Sequence, residues 1–316
     1  MTEPLVSIAL PVYNGERLLP AAIAGIRAQT YRNIDLIICD NASTDATAEI
    51  VARAQAEDPR IRSFRHETNI GPTANFRFGL EQRRGKYFMW AAHDDEKLPE
   101  FLAETVAALE RHATASMACT WTTIVTRDGE RVHHPYSPAI SSERLEERLP
   151  AFVADTQCVA FYGVYRSTVI DRIGAPDDWL DGDRHYLFKA IVQGPFEVVP
   201  RALFRFRMMN ALDDYLRLFA MRPGAADYDL DLYHHLPRLM REGGVDEATI
   251  RRAWEAMMVP LRPYFANRAT YLISQLLASH DARKEKLARL AALAKAYPPL
   301  LRQRFFWGAV RRVAVR

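Results

Sequence analysis

The chain has 316 residues, 49% of them hydrophobic and 26% charged, with a formal net charge of +3. Those figures describe a globular protein with room for one sizeable domain and an appendage, and they exclude an intrinsically disordered chain. Cys39, Cys119 and Cys158 stand far apart, so neither a disulfide framework nor a C-x-x-C zinc site is indicated.

The opening MTEPLVSIALPVYNGE has no basic region ahead of its short apolar run. No stretch reaches the roughly 18 apolar residues that a membrane span requires, so a cytoplasmic location is expected. Leu5–Leu10 (LVSIAL) reads as a strand and Pro11–Gly15 as a turn. A helix to about Gln29 follows, with Leu19, Ala22, Ile23 and Ile26 on one stripe. Ile34–Cys39 is a second strand ending at Asp40, and Ser43 reads as the N-cap of a helix carrying Ala46, Ile50, Val51 and Ala54. Ile61–Phe64 is a third strand, and a helix over about Thr73–Gln82 leads into a fourth, KYFMWAA, that runs directly into His93, Asp94 and Asp95. Strands alternating with helices predict an α/β domain with a parallel, doubly wound sheet whose ligands bind at the strand ends.

Asp40, Asp94 and Asp95 therefore converge from distant segments on one edge of that sheet. Paired acids at the mouth of an apolar strand suit a hard divalent cation holding a phosphate-bearing substrate; the competing reading is capping of the helix that begins near Pro99. No G-x-G-x-x-G follows the first strand and no G-x-x-x-x-G-K-[ST] occurs, which argues against a dinucleotide enzyme and a P-loop NTPase.

Four stretches in this order, VSIALPVYNGE, LIICDNASTDAT, NIGPTANFRFGL and RGKYFMWAAHDDE, resemble the successive motifs of the family 2 glycosyltransferases. The resemblance spans roughly residues 4–210. It implies a GT-A type, doubly wound, mostly parallel sheet with helices on both faces, and an inverting enzyme that uses nucleotide-activated sugars. It also implies that Asp40 holds the nucleotide base, that Asp94 lies near the ribose or sugar, and that Asp95 binds Mg2+ or Mn2+ on the diphosphate. Pro11, Tyr13, Asn14 and Glu16 match the first-loop residues that line the nucleotide pocket, and Asn75 stands where many relatives close an A-R-N triplet. Two departures matter. Ala92 replaces the first acid of the usual D-x-D-D, and Thr73-Ala74-Asn75 lacks the Arg of that triplet. His93 reads as a metal ligand or as an ordinary turn histidine.

Beyond the acids a helix near Leu98–Arg111 precedes a strand over Met117–Thr126, and Asp128-Gly129 reads as a hairpin turn into Glu130–His133. The Pro-rich loop His133–Pro138 reads as a connection or as the border of an acceptor site. A strand over Cys158–Tyr165 leads to Asp181-Gly182-Asp183 at the start of a helix with Leu187, Ile191 and Val192 on its inner face. The resemblance assigns the base that deprotonates the acceptor hydroxyl to this helix start, hence to Asp183, with Asp181 as second choice. Either acid also reads as a cap, and a base there requires partial desolvation. Arg205 and Arg207, on one side of the strand Phe204–Arg207, are candidates for contacting diphosphate or acceptor.

From about residue 211 the chain reads as helical, with breaks at Pro223-Gly224 and Glu242–Gly244 and amphipathic helices over Arg262–Ser279 and Lys284–Ala296. Residues 1–210 are thus expected to form the catalytic domain and 211–316 a helical region. From Arg283 onward ten Lys and Arg face a single acid, Glu285, giving +9 beside −6 for the remainder. The final LLRQRFFWGAVRRVAVR places Phe306, Val310 and Val313 on one stripe, which suits an anionic membrane surface or an internal dock. The function expected is transfer of a sugar from a nucleoside-diphosphate sugar, UDP by default, to a glycan or lipid-linked acceptor in bacterial cell-surface polysaccharide or glycolipid synthesis. No nucleic-acid partner is expected. A nucleotidyltransferase or a non-catalytic sugar-nucleotide-binding module are the alternatives.

Overall fold

The computed structural model of the chain describes residues 3–126, 129–154, 158–176, 182–207, 236–257, 283–296 and 304–315. Asp128, Asp181, Pro223-Gly224 and the helix expected over Arg262–Ser279 lie outside those residues. The chain divides into two compact units, Met1–Leu212 and Asp213–Arg316.

The first unit begins β1 (Val6–Val12), α1 (Leu19–Arg27), β2 (Ile34–Asp40), α2 (Thr47–Glu57), β3 (Ile61–Arg65), α3 (Pro72–Glu81) and β4 (Tyr87–Trp90). Every residue of β1, β2 and β4 is buried, as expected for parallel strands covered on both faces. The stripe Leu19, Ala22, Ile23 and Ile26 is the buried face of α1. Pro11 and Val12, expected in the turn, extend β1 instead, because Val12 pairs in register with Asp40. Ser43 does not cap α2. Its Oγ accepts the Asn14 amide at 2.9 Å, and the helix starts after Asp45, whose Oδ1 accepts the Thr47 N–H at 3.0 Å.

The short β5 (Glu96–Lys97) follows the acids at once, then α4 (Phe101–Arg111), β6 (Met117–Thr126), β7 (Gly129–His133), α5 (Leu145–Ala154), β8 (Val164–Arg166), α6 (Ser167–Ile173), α7 (Gly182–Gln193) and β9 (Phe196–Arg207). The sheet runs β3-β2-β1-β4-β8-β6-β9-β5, with β7 added to β6. Most paired residues lie in the parallel ladders of β1 with β2 and β4, β2 with β3, and β6 with β9. The strand β8 runs antiparallel between β4 and β6. The strand expected over Cys158–Tyr165 survives only as β8. Cys158 is left-handed at φ 39°, and Val159–Tyr162 form a 3-10 turn. Its apolar residues are there for the core: Phe161 stacks on Trp90 at 4.7 Å and 12°. Short apolar runs do not separate strand from turn by periodicity. At Gly163 a Cβ would lie 2.4 Å from Met117 Cε and 2.7 Å from the Ala118 carbonyl, so the chain passes the sheet too closely for any side chain.

In the second unit residues 236–242 and 247–257 are helical, with Leu239, Met240, Ile250, Ala253 and Met257 buried. The helix Arg304–Val315 packs on Arg283–Ala296. Among the described residues no helix is long and apolar enough to cross a membrane.

Candidate active site

The carboxyl ends of β1 and β2 carry two loops that are stitched to each other. The Asn14 amide donates to Ser43 Oγ, and Asn14 Oδ1 accepts the Thr44 N–H, both at 2.9 Å. The Gly15 amide donates to Thr47 Oγ1 at 2.8 Å and the Glu16 amide to Asp45 Oδ2 at 3.0 Å, while Glu16 Oε2 accepts the Ala46 N–H at 3.1 Å. Asn14 and Glu16 thus spend side-chain acceptors on this scaffold, and Asn14 sits at φ 52°, a region Asn tolerates. Pro11 is buried in β1, and Tyr13 is left 46% exposed at its end.

Asp40 is 2% exposed. Its Oδ1 accepts the Ser43 N–H at 2.9 Å, and its Oδ2 lies 3.1 Å from the Arg65 guanidinium. The neighbouring Asn41 pins the loop after β3: its Oδ1 accepts the Ile70 N–H, and its amide donates to Asn69 Oδ1, both at 2.9 Å. Asn75, the residue closing the altered triplet, is tied into the scaffold. It is 2% exposed, its amide donates to the Cys39 carbonyl at 2.9 Å, and its Oδ1 meets His66 Nε2 at 3.1 Å, so it clamps α3 to the end of β2.

Asp94 and Asp95 occupy different environments. Asp94 is partly exposed, and no hydrogen bond engages its carboxylate among the described residues. Asp95 is 7% exposed; Oδ1 accepts the Arg207 amide at 2.8 Å, and Oδ2 is enclosed without a partner. Neither caps α4, whose N-cap is Glu100. Burial pushes the Asp95 carboxyl up to about 7, against the Lys97 charge and the Arg207 amide, which lower it. Lys97, 5% exposed, holds its ammonium among the rings of Phe204, Phe101 and Tyr162. Burial pulls the Lys97 amine well below its ordinary value, with Asp95 opposing. A cleft bounded by Ala22, Ile26, Ala91 and Ala92 contains both groups. Ala92 lines that cleft where the resemblance places another acid.

Asp183 stands in the first turn of α7 and accepts the Arg184 N–H at 2.8 Å. One side chain connects it to the acids after β4. Burial raises the Tyr162 hydroxyl well above the ordinary tyrosine value, and the charges of Asp95, Asp183 and Asp94 raise it further. Two acids from the loop after β4 and one from the start of α7 thus act electrostatically on one buried phenol. Of the two candidate arginines, Arg205 is spent on Glu130 at 3.1 Å and Glu96 at 3.4 Å. The Arg207 guanidinium has no acceptor among the described residues. The His93 ring packs on the first loop, where its Cδ2 would lie 3.2 Å from a Cβ at Gly15. His134 packs on Trp121 at 4.2 Å.

These residues fit a divalent cation that shares its coordination with substrate. Among the described residues no group of three His, Cys, Asp or Glu forms a complete cage. The partly exposed Asp94 beside the buried, incompletely bonded Asp95 supplies hard oxygen donors, and Mg2+ and Mn2+ take the rest from phosphates and water.

The profile of Glycosyl transferase family 2 matches residues 7–173, over half of the chain. The chain belongs to that family. Among family relatives, a Rickettsia bellii protein described as an uncharacterized glycosyltransferase is 38% identical over 108 residues, 34% of this chain and 15% of its own length. A Haemophilus influenzae protein with the same description is 41% identical over 95 residues, 30% of this chain and 38% of its own. The chain therefore spans well under half the length of these relatives. Among solved structures, residues 1–349 of S. aureus TarS in complex with UDP-GlcNAc superpose with a TM-score of 0.68 at 15% identity, covering 98% of this chain and 88% of that one. A likeness at that identity speaks for the shared GT-A fold.

Arg65, Lys97 and Tyr162 escaped the sequence reading. Arg65 ends a strand as many surface arginines do, and its placement beside Asp40 depends on the β2–β3 register. Lys97 is the buried residue of the two-residue β5, beside a partly exposed Glu96, and its burial depends on pairing with β9.

Proposed function

We propose that this chain is an inverting glycosyltransferase that moves a sugar from a nucleoside-diphosphate sugar, a UDP-sugar by default, to an acceptor hydroxyl. The shared electrostatic influence of Asp94, Asp95 and Asp183 on the buried Tyr162 hydroxyl supports this reading. A scheme that only bound the nucleotide would need no third carboxylate from α7. Asp183 accepts the proton of the acceptor hydroxyl as that oxygen attacks the anomeric carbon from the face opposite the leaving diphosphate. Asp94, the more exposed of the two acids, offers its oxygens to Mg2+ or Mn2+, with Asp95 fixed behind it; this exchanges the two roles that the family resemblance implies. When bound, the cation neutralises charge building on the departing diphosphate. Arg207, whose guanidinium has no acceptor among the described residues, adds positive charge near Asp95. The first-loop scaffold and Tyr13 form the wall of the nucleotide pocket.

The acceptor class we infer is a glycan or lipid-linked hydroxyl of cell-surface polysaccharide or glycolipid synthesis, met at the cytoplasmic face of the membrane. The surface of the terminal helix supports that part: Trp307 is 45% exposed beside the exposed Arg311 and Arg312. The test is incubation with a panel of nucleotide sugars and Mn2+, following release of nucleoside diphosphate and the anomeric configuration of the product by NMR. Turnover with inversion is expected. Retention would refute the single-displacement mechanism, and no binding of any nucleoside diphosphate would refute the nucleotide site itself.

A further inference from the structure

Trp121 is partly exposed in β6, and its pairing with Ala202 of β9 is irregular on both sides, toward Thr120 and toward Thr122. Irregularities of that kind bend a strand and re-aim a side chain, and they are over-represented beside active sites. The exposed His134 lies over the indole, with ring centres 4.2 Å apart and planes at 31°. Together the two rings present an aromatic surface to solvent.

That surface is level with the start of α7. Tyr165 pairs with Met117, and Tyr186 of α7 packs on Tyr165 at 5.7 Å, so α7 covers the Met117 face of the sheet. Alternation along the strand puts Met117, Cys119 and Trp121 on that face. The loop after β7 folds onto it as well: Tyr136 meets Phe196 at 5.8 Å, and Phe196 pairs with Met117. The far end of α7 is pinned beside the start of β6, where Ser116 Oγ donates to the Gly194 carbonyl at 3.0 Å. From there α7 leads back past Trp90, 5.1 Å from Tyr186, toward the acids after β4. Gly194 to Asp183 is about 16 Å of helix, a length that a strand covers in about five residues, from Ser116 to Trp121.

We propose that Trp121 and His134 form a subsite for a sugar ring of the acceptor. This rests on the transferase reading above, with Asp183 at the reacting hydroxyl. A pyranose presents a C–H face rimmed by hydroxyls. The negative face of an aromatic ring suits polarised C–H groups, and the indole N–H can donate to a rim hydroxyl. The acceptor class is therefore a glycoside, a free glycan or a sugar already linked to lipid, and not a bare lipid phosphate.

The test is saturation-transfer NMR of the full chain with methyl and octyl β-glycosides of glucose, galactose and N-acetylglucosamine, alongside calorimetric titration with UDP. Saturation of the ring C–H protons of at least one glycoside is expected. Trp121→Ala should weaken its binding by about tenfold, as for truncation of an aromatic anchor, with folding checked by circular dichroism. His134→Ala removes an exposed side chain, so it keeps the fold and should weaken the same glycoside. Trp121→Phe keeps a ring and should retain most of the binding. Equal ring saturation in the methyl and octyl forms would support a free glycan, and stronger saturation in the octyl form a lipid-linked sugar. Unchanged binding in both Ala variants, saturation confined to the alkyl chain, or no binding of any glycoside would overturn the subsite while leaving the UDP site in place. Failure to bind UDP, with ring saturation still dependent on Trp121, would instead bring down the nucleotide-sugar reading and leave a sugar-binding surface.

Discussion

Asp183 is where chemistry and scaffold are most easily separated. Its Oδ1 accepts the N–H of the next residue, an interaction that an amide oxygen can also make. Asp183→Asn should therefore keep the start of α7 intact while losing basicity. Transfer is expected to fall by on the order of 10²-fold or more, with the dissociation constant for nucleoside diphosphate unchanged by titration calorimetry. A variant that transfers at the normal rate would remove Asp183 from the base role. The adjacent acids allow a second dissection. Asp94→Ala should abolish the gain in nucleotide affinity that Mn2+ confers. Asp95→Asn keeps an acceptor for the Arg207 amide and should retain most of that gain. The reverse pattern would return the metal to Asp95.

At the scale of elements, the turn from α2 to β3 depends on one carboxylate. Asp58, 6% exposed, accepts the Arg60 backbone N–H at 3.0 Å and its guanidinium at 2.7 Å, with Arg27 at 3.5 Å. The hydrogen bond from the Arg60 side chain holds the Asp58 carboxyl below the ordinary carboxylate range, against the opposing effect of burial. With the folded value depressed, the unfolded chain binds the proton more readily. The stabilisation is complete above the unfolded value near 4 and is lost as pH falls through the folded one. Asp58→Asn should cost about 1–2 kcal/mol at neutral pH. In urea titrations the gap to wild type should close below about pH 4; a gap independent of pH would exclude the ion pair as its source.

Legibility in the sequence divided along the same scale. The stripe of α1 and the strand β2 were readable because each meets a single environment along its length, so burial follows local periodicity. The antiparallel β8 was not, because three residues carry no period and its direction is set by β4 and β6 on either side. The acids were readable as a group, since carboxylates at strand ends are rare enough to notice. Which of Asp94 and Asp95 opens to solvent was not readable, because it depends on the amide of Arg207, which lies 112 residues further on. The bonds of Asn75 were unreadable for a similar reason. Its place in the motif is local, whereas its bonds to Cys39 and His66 are tertiary.

At the scale of the whole molecule the basic terminal segment is the outstanding question. Its apolar stripe is largely consumed: Phe306 and Val313 are 2% and 6% exposed within the second unit. What remains for a partner is Trp307 with Arg311 and Arg312, a small aromatic anchor amid positive charge. Wild-type protein should float with vesicles containing anionic lipid, and less so as salt rises and screens the contact. A variant carrying Trp307→Ser, Arg311→Glu and Arg312→Glu leaves the packed stripe untouched and should not float. Equal flotation of the two would move any lipid contact away from this helix.

The anchoring of Asp95 by the Arg207 amide also has a consequence for how the chain is made. Val12 and Asp40 can pair once about forty residues have left the ribosome, so the floor of the nucleotide pocket is available early in synthesis. The carboxylate that completes the acidic centre waits for the last strand, whose parallel pairing with β6 bridges some eighty residues of sequence. Non-local pairings of that kind form slowly. On the proposed assignment of the site, a nascent chain therefore holds the nucleotide cradle before it holds the acidic centre, and the final strand acts as the step that commissions the enzyme.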